Sequence, residues 1–236
     1  YNIPLFDRSV DFGLLYFITK PIFLLLNYFY GLLHNFGYAI IALTMFIKVL
    51  LFPLAYKGFK GMNRLKDLQP KMTSLKERYK EKPQEFQRAM MELYKKEKVN
   101  PMSGCLPLLL QMPVFFALYK VLYVNIEMRQ AYFFGWIQDL SAPDPTSILT
   151  LFGLVPLALP SFLQIGVFPA LMALSMYVQQ KLSPQPADAT QAKMMKLLPL
   201  IFLFMFASFP SGLVIYITVS NTLSIAQQVA IRKILK

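Results

Sequence analysis

Residues 36–56 read FGYAIIALTMFIKVLLFPLAY, and one lysine within them decides how the chain is read. The stretch is apolar on every helical face except at Thr44 and Lys48. A bilayer's hydrocarbon core takes about 20 apolar residues of helix, so this segment is long enough to cross it. Lys48 reads as the one full charge set well inside a long apolar run. A charge at mid-membrane costs about 2.5–3.5 kcal/mol on insertion scales and normally faces a polar cavity or a partner. The expectation is a wet pocket between helices with Lys48 pointing into it. The alternative is snorkelling: Tyr56 lies roughly eight residues on, about 12 Å of helix rise, and a lysine stem can cover part of that distance.

Working outward, composition supports a membrane protein. The chain has 236 residues, 56% hydrophobic and 15% charged, whereas soluble domains sit nearer about 45–50% apolar and about 25% charged. The excess lies in several long apolar runs. A net charge of +12 raises nucleic acid as a partner, but most of the charge falls between Lys57 and Lys98, beside a spanning helix, so DNA is not expected. Cys105 and His34 are the single cysteine and histidine. They exclude an intrachain disulfide, a thiolate cluster and a His-rich metal site. Arg8 is not followed by an uninterrupted apolar run and a small-residue cleavage site, so no signal peptide is read. Beginning at Tyr1, the chain reads as a fragment or processed form with earlier residues missing.

Residues 1–35 read as an outer-side interfacial amphipathic helix. Its two short apolar runs are cut at Lys20-Pro21, and Asn27, Gly31 and His34 form a polar stripe. The competing reading is a kinked extra span. The first span covers 36–56. Residues 57–99 form a basic helical hairpin whose thin apolar seam (Met62, Leu65, Leu68, Met72, Leu75, then Phe86, Met90, Leu93) is divided near Pro83. The positive-inside rule puts this hairpin in the cytoplasm, and alternation orders the rest. A second span covers 100–126, with Pro107, Gln111 and Pro113, and an outer loop with Trp136 covers 127–147. Residues 148–182 divide into an outer-leaflet piece and a third span from about Gln164, followed by a cytoplasmic loop at 183–193. Spans at 194–209 and 210–231 follow, and a basic cytoplasmic tail at 232–236 ends the chain. The fold expected is all-α, with five transmembrane helices around a hydrophilic groove.

The polar residues of the spans carry the functional signal. Thr44 and Lys48 are four apart and share a helical face; Tyr216, Ser220 and Ser224 repeat that spacing, with Asn221 adjacent. Gln111 can both donate and accept. Converged, these residues make a hydrophilic concavity with one positive charge. The alternative, for each hydroxyl taken singly, is a hydrogen bond between helices. No acid lies deep in a span, and no nucleophile triad, HExxH or phosphate-binding glycine loop is present. Neither an enzyme nor a cofactor is expected.

The strings KVNPMSGCLPLLLQMPVFFALY (98–119), WIQDLSAPDP (136–145), QQKLSP (179–184) and FPSGLVIYITVSN (209–221) closely resemble the YidC membrane insertase family. The resemblance implies a conserved core of five helices and a positively charged groove open to the cytoplasm and lipid but closed outside. The family's groove arginine falls at Lys48, which keeps the charge but loses the bidentate fork. Thr44 matches the groove threonine, and of two tyrosines in some members only Tyr216 is present, Ile217 following it. Residues 151–166 look inserted, and the large outside domain and first anchor helix of the Gram-negative branch are absent. The function implied is insertion and folding of nascent membrane proteins in the bacterial inner membrane, alone or with the Sec translocon. The groove would be lined by Lys48, Thr44, Gln111, Tyr216, Ser220 and Asn221, with Leu108, Val114, Phe115 and Leu203 as the apolar slide. Contacts with the ribosome and signal recognition pathway would fall on Lys66, Lys71, Lys76, Arg78, Arg232 and Lys233, which also suit anionic lipids. The rival readings are a small-solute or ion transporter, for which no internal repeat is seen, and a ribosome-binding membrane anchor.

Overall fold

The computed structural model describes residues 16–79, 82–100, 106–150, 160, 163–183 and 189–234. The described residues form nine α-helices and no strand: α1 (Tyr16–Leu33), α2 (Phe36–Leu50), α3 (Phe52–Asp67), α4 (Gln69–Arg78), α5 (Pro83–Lys96), α6 (Leu106–Val124), α7 (Val167–Leu182), α8 (Ala189–Phe206) and α9 (Ser211–Ile234). The all-α expectation is met. Among the described residues α1 and α9 are each long and apolar enough to cross a bilayer, and α2 and α3 pass the same test together.

α1 runs unbroken through Pro21, where the sequence suggested an interruption. The carbonyl deprived of its N–H partner belongs to Phe17, which is 87% exposed, so the missing bond falls on an outer face. α1 buries Thr19, Ile22 and Leu26 at helical spacing and lies on α2 and α6. Asn35 then starts α2. Its Oδ1 accepts the Tyr38 N–H at 3.2 Å, and its Nδ2 donates to the Phe133 carbonyl at 2.8 Å and the Tyr132 carbonyl at 3.2 Å.

The stretch 36–56 is not one straight helix. It bends by 67° between α2 and α3. Pro53, in the first turn of α3, has no N–H with which to continue the ladder across Leu51. α3 therefore leaves the axis of α2, and its Phe59 and Met62 pack on Ile231 near the end of α9. α4 follows after Leu68 alone. It forms the expected hairpin with α5, its seam closed by buried Leu68, Met72 and Met90 and by an ion pair of 2.5 Å from Lys71 to Glu97. That ammonium holds the Glu97 carboxyl below the usual range.

The principal core fills one end of the bundle. Ile40 and Leu43 of α2, Leu118, Val121 and Leu122 of α6, and Leu213 of α9 are buried together with Met128, Phe133, Ile137 and Leu140 of the following loop. Contact there is close: a Cβ on Gly37 would stand 1.9 Å from a Phe133 ring carbon. The loop also completes the start of α9, since the Ala142 carbonyl accepts both the N–H (2.8 Å) and the hydroxyl (2.7 Å) of Ser211, and the Leu140 carbonyl accepts the Gly212 N–H at 2.9 Å. Asp139 folds the loop by accepting the Gln130 N–H at 3.0 Å and the Ser141 N–H at 2.8 Å. Asp144, buried, ties the loop to α7: its Oδ1 accepts the Thr146 N–H and hydroxyl, and its Oδ2 accepts the Phe168 N–H at 3.0 Å.

Most of the expected outer-leaflet piece, residues 151–159 and 161–162, lies outside the described residues. α8 begins at Ala189, inside the stretch read as loop, and packs on α7. Lys120, passed over when the apolar runs were read, is a second lysine on an apolar helix. It is half-buried and four residues from the end of α6.

Candidate functional site

Adjoining that core is an open concavity between α2, α3, α6 and α9. Thr44, Ile47 and Lys48 line it from α2; Ala55, Gly58 and Phe59 from α3; Gln111 and Val114 from α6; and Tyr216, Ser220, Ser224 and Gln227 from α9. The bend at Leu51 makes this possible. A straight continuation of α2 would carry residues 55–59 away, whereas the turned α3 forms a wall.

The polar side chains are joined in one network. The half-buried Lys48 ammonium donates to the Ser224 hydroxyl at 2.7 Å and, at longer range, to Gln111 Oε1 at 3.4 Å. Gln111 Oε1 also accepts the Ser220 hydroxyl at 2.9 Å, while Gln111 Nε2 donates to the Tyr216 oxygen at 2.6 Å. The Ser224 hydroxyl donates onward to the Ser220 carbonyl at 2.9 Å. Lys48 thus faces neutral partners beside an open cavity, and no carboxylate stands among the lining residues. Thr44 is at the inner end, 2% exposed, its hydroxyl donated to the Ile40 carbonyl at 2.6 Å.

Of the predicted groove residues, Lys48, Thr44, Gln111, Tyr216 and Ser220 come together. Asn221 does not. One residue round α9 from Ser220, it donates to the Ser175 hydroxyl of α7 at 3.2 Å. The predicted set left out Ser224, although the 216–220–224 spacing pointed to it, and Gln227, whose amide donates to the Lys48 carbonyl at 3.3 Å. Of the predicted slide, Val114 lines the concavity. Phe115 meets Phe206 of α8 edge-on at 6.2 Å, Leu203 is half-buried on α8, and the Leu108 side chain lies outside the described residues. Of the predicted partner contacts, Lys66 and Arg232 are close enough to repel one another; Lys233 is exposed at the end of α9; and Lys71, Lys76 and Arg78 lie on α4. Among the described residues no group of three His, Cys, Asp or Glu is placed to hold a metal.

A family model described as 60Kd inner membrane protein matches residues 28–236. The chain belongs to the 60Kd inner membrane protein family. Curated relatives named membrane protein insertase YidC share this sequence closely. Those of Rickettsia rickettsii and Rickettsia akari are 58% identical over 233 residues, and that of Rickettsia bellii is 56% identical over 234. Each match covers 99% of this chain and 42% of the relative, so the chain spans less than half the length of those proteins. A solved structure titled as an active YidC insertase with its first transmembrane domain resolved matches at a TM-score of 0.68 and 28% identity. That match covers 95% of this chain and 47% of the solved chain. The family resemblance read from the motifs is therefore correct, and membership places the chain among inner membrane proteins.

Proposed function

We propose that this chain is the membrane core of an insertase, which takes polar tails of nascent membrane proteins into the concavity and releases their apolar segments to lipid. One observation carries the reading: an ammonium group held by neutral hydrogen-bond partners at the wall of an open cavity, with its charge uncompensated. Moving an unpaired polar group into hydrocarbon costs roughly 2–7 kcal/mol, and an ion far more. A hydrated recess reaching partway across the bilayer shortens that dry path, and Lys48 attracts carboxylates in the tail. The apolar segment leaves along Val114, Phe115 and Leu203, with Leu108 on the same helix as the first two.

In this reading the chain makes five spans, the hairpin and the C-terminus are cytoplasmic by the positive-inside rule, and the packed loop end faces outward. The basic residues Lys66, Lys71, Lys76, Arg78, Arg232 and Lys233 then stand where a ribosome, the signal recognition pathway or anionic headgroups are met. The chain acts alone or with the Sec translocon.

Reconstitution tests the proposal. Vesicles carrying the protein are expected to insert a single-span precursor with an acidic tail, scored by protease protection of the tail. The same vesicles, loaded with labelled ions or small solutes, are expected to retain them. Solute flux without insertion favours the transporter and rejects the reading.

A further inference from the structure

We infer that Gln227 is a positioning residue: by holding the Lys48 carbonyl at the kink, it fixes the angle between α2 and α3 and so where the Lys48 side chain stands. In an unbroken helix the Lys48 carbonyl would take the Phe52 N–H, four residues on. Here the Gln227 amide reaches that carbonyl from α9 at 3.3 Å. The joint is soft from its own chemistry, because Pro53 brings no N–H to the next carbonyl along. Ser224 and Gln227, three residues apart on α9, therefore hold the two ends of one residue: Ser224 accepts the ammonium at 2.7 Å and Gln227 grips the backbone.

This arrangement joins the concavity to the basic hairpin. α3 walls the cavity with Ala55, Gly58 and Phe59 and passes into α4 after a single residue, Leu68. A change of angle at Leu51 moves that wall and the hairpin together, while the Gln227 bond resists it. What the ammonium acts upon rests on the insertase reading. The kink itself can be tested with no substrate present.

Spin labels on exposed Met45 of α2 and exposed Arg64 of α3, in a Cys105→Ser protein reconstituted in nanodiscs, report the angle as a distance distribution. Arg64 lies thirteen residues past Leu51, about 20 Å of helix, so a relaxation of about 20° carries its label about 7 Å. Gln227→Met keeps the length but has no N–H to donate, and is expected to broaden or shift the distribution on that scale. Gln227→Arg restores a donor of sufficient reach and is expected to narrow it again. An unchanged distribution in the Met protein overturns the inference. Equal broadening in both variants also overturns it, since that marks a general loss of packing. Insertion by the Met protein is expected to fall for acidic tails and hold for neutral ones. If Lys48→Ala leaves insertion of acidic tails untouched, the role given to the ammonium fails, and if the wild-type protein inserts nothing, the insertase reading fails; in either case the distance result still decides the kink.

Discussion

Lys48→Met removes the charge of the concavity while keeping an unbranched chain of similar length, and the network around it predicts a protein that still folds. Ser224 retains its 2.9 Å bond to the Ser220 carbonyl, and Gln111 retains Ser220 at 2.9 Å and Tyr216 at 2.6 Å. No buried group is left without a partner, so the penalty of about 1–3 kcal/mol for an orphaned polar atom does not arise. What is lost is attraction. Two unit charges about 4 Å apart interact by about 4 kcal/mol at an effective dielectric of about 20, and by about 1 kcal/mol in water. If the recess is hydrated, as the insertase reading has it, the interaction lies toward the weaker limit, so one acidic residue in a tail gains about 1–1.5 kcal/mol, a factor of about ten in occupancy. The assay is insertion into vesicles of a single precursor whose tail carries no, one or two acidic residues. Wild type is expected to respond to each added acid, the Met protein to give a flat series, and Lys48→Arg to keep the response. A Met protein that is normally folded and as responsive to acids as wild type would refute the charge argument.

Four further outcomes follow from the geometry. Gly37→Ala places a Cβ 1.9 Å from the Phe133 ring and is expected to lower stability in detergent by about 1–3 kcal/mol, with Phe133→Leu relieving most of the loss; an unchanged melting curve contradicts this packing. Asp144→Ala strips α7 of the carboxylate that accepts the Phe168 N–H and is expected to cost about 0.5–2 kcal/mol, read as faster amide exchange at Val167, Phe168 and Ala170. Burial alone would raise the Asp139 carboxyl, but the Ser141 hydroxyl and the N–H groups of Ser141, Gln130 and Ala142 together pull it below its ordinary 3.8. A depressed carboxyl contributes stability above its unfolded value and loses it as pH falls through the folded one. The 126–142 loop is therefore expected to loosen at pH below about 3.8, followed by Trp136 fluorescence, and Asp139→Asn is expected to lack that transition. Finally, cysteines at Thr44 and Ser220 in a Cys105→Ser background are expected to react with a charged thiol reagent added from the hairpin side alone; reaction from the loop side contradicts a closed end.

Much of this site could be read before any coordinates, for a geometric reason. Residues four apart share a helical face, so Thr44 with Lys48, and Tyr216 with Ser220, could be paired by counting. Gln111 stood out as an amide in an apolar run. Asn221 misled because adjacency in sequence is about 100° of rotation on a helix, enough to turn it from the cavity to Ser175. Gln227 escaped because its partner is a backbone carbonyl freed by a kink, and side-chain patterns carry no trace of such an acceptor. The kink had a signal in Pro53, but continuous apolarity on both sides of Leu51 masked it. Pro21 erred in the other direction: a proline whose unbonded carbonyl faces outward leaves its helix intact. The hairpin seam was legible at Met72, Met90 and Leu93, since both its arms keep helical spacing between charged flanks.

α9 is pinned in rotation on two sides. Tyr216, Ser220 and Ser224 point one way; Asn221 meets Ser175; and Gln228, farther along, donates to the Leu182 carbonyl at 3.3 Å. Spinning this helix by a single residue's worth would break bonds on every side at once and drive Asn221 into the cavity. α9 is therefore a fixed post, and whatever widens the recess for a passenger has to swing α3 or slide α6 against it.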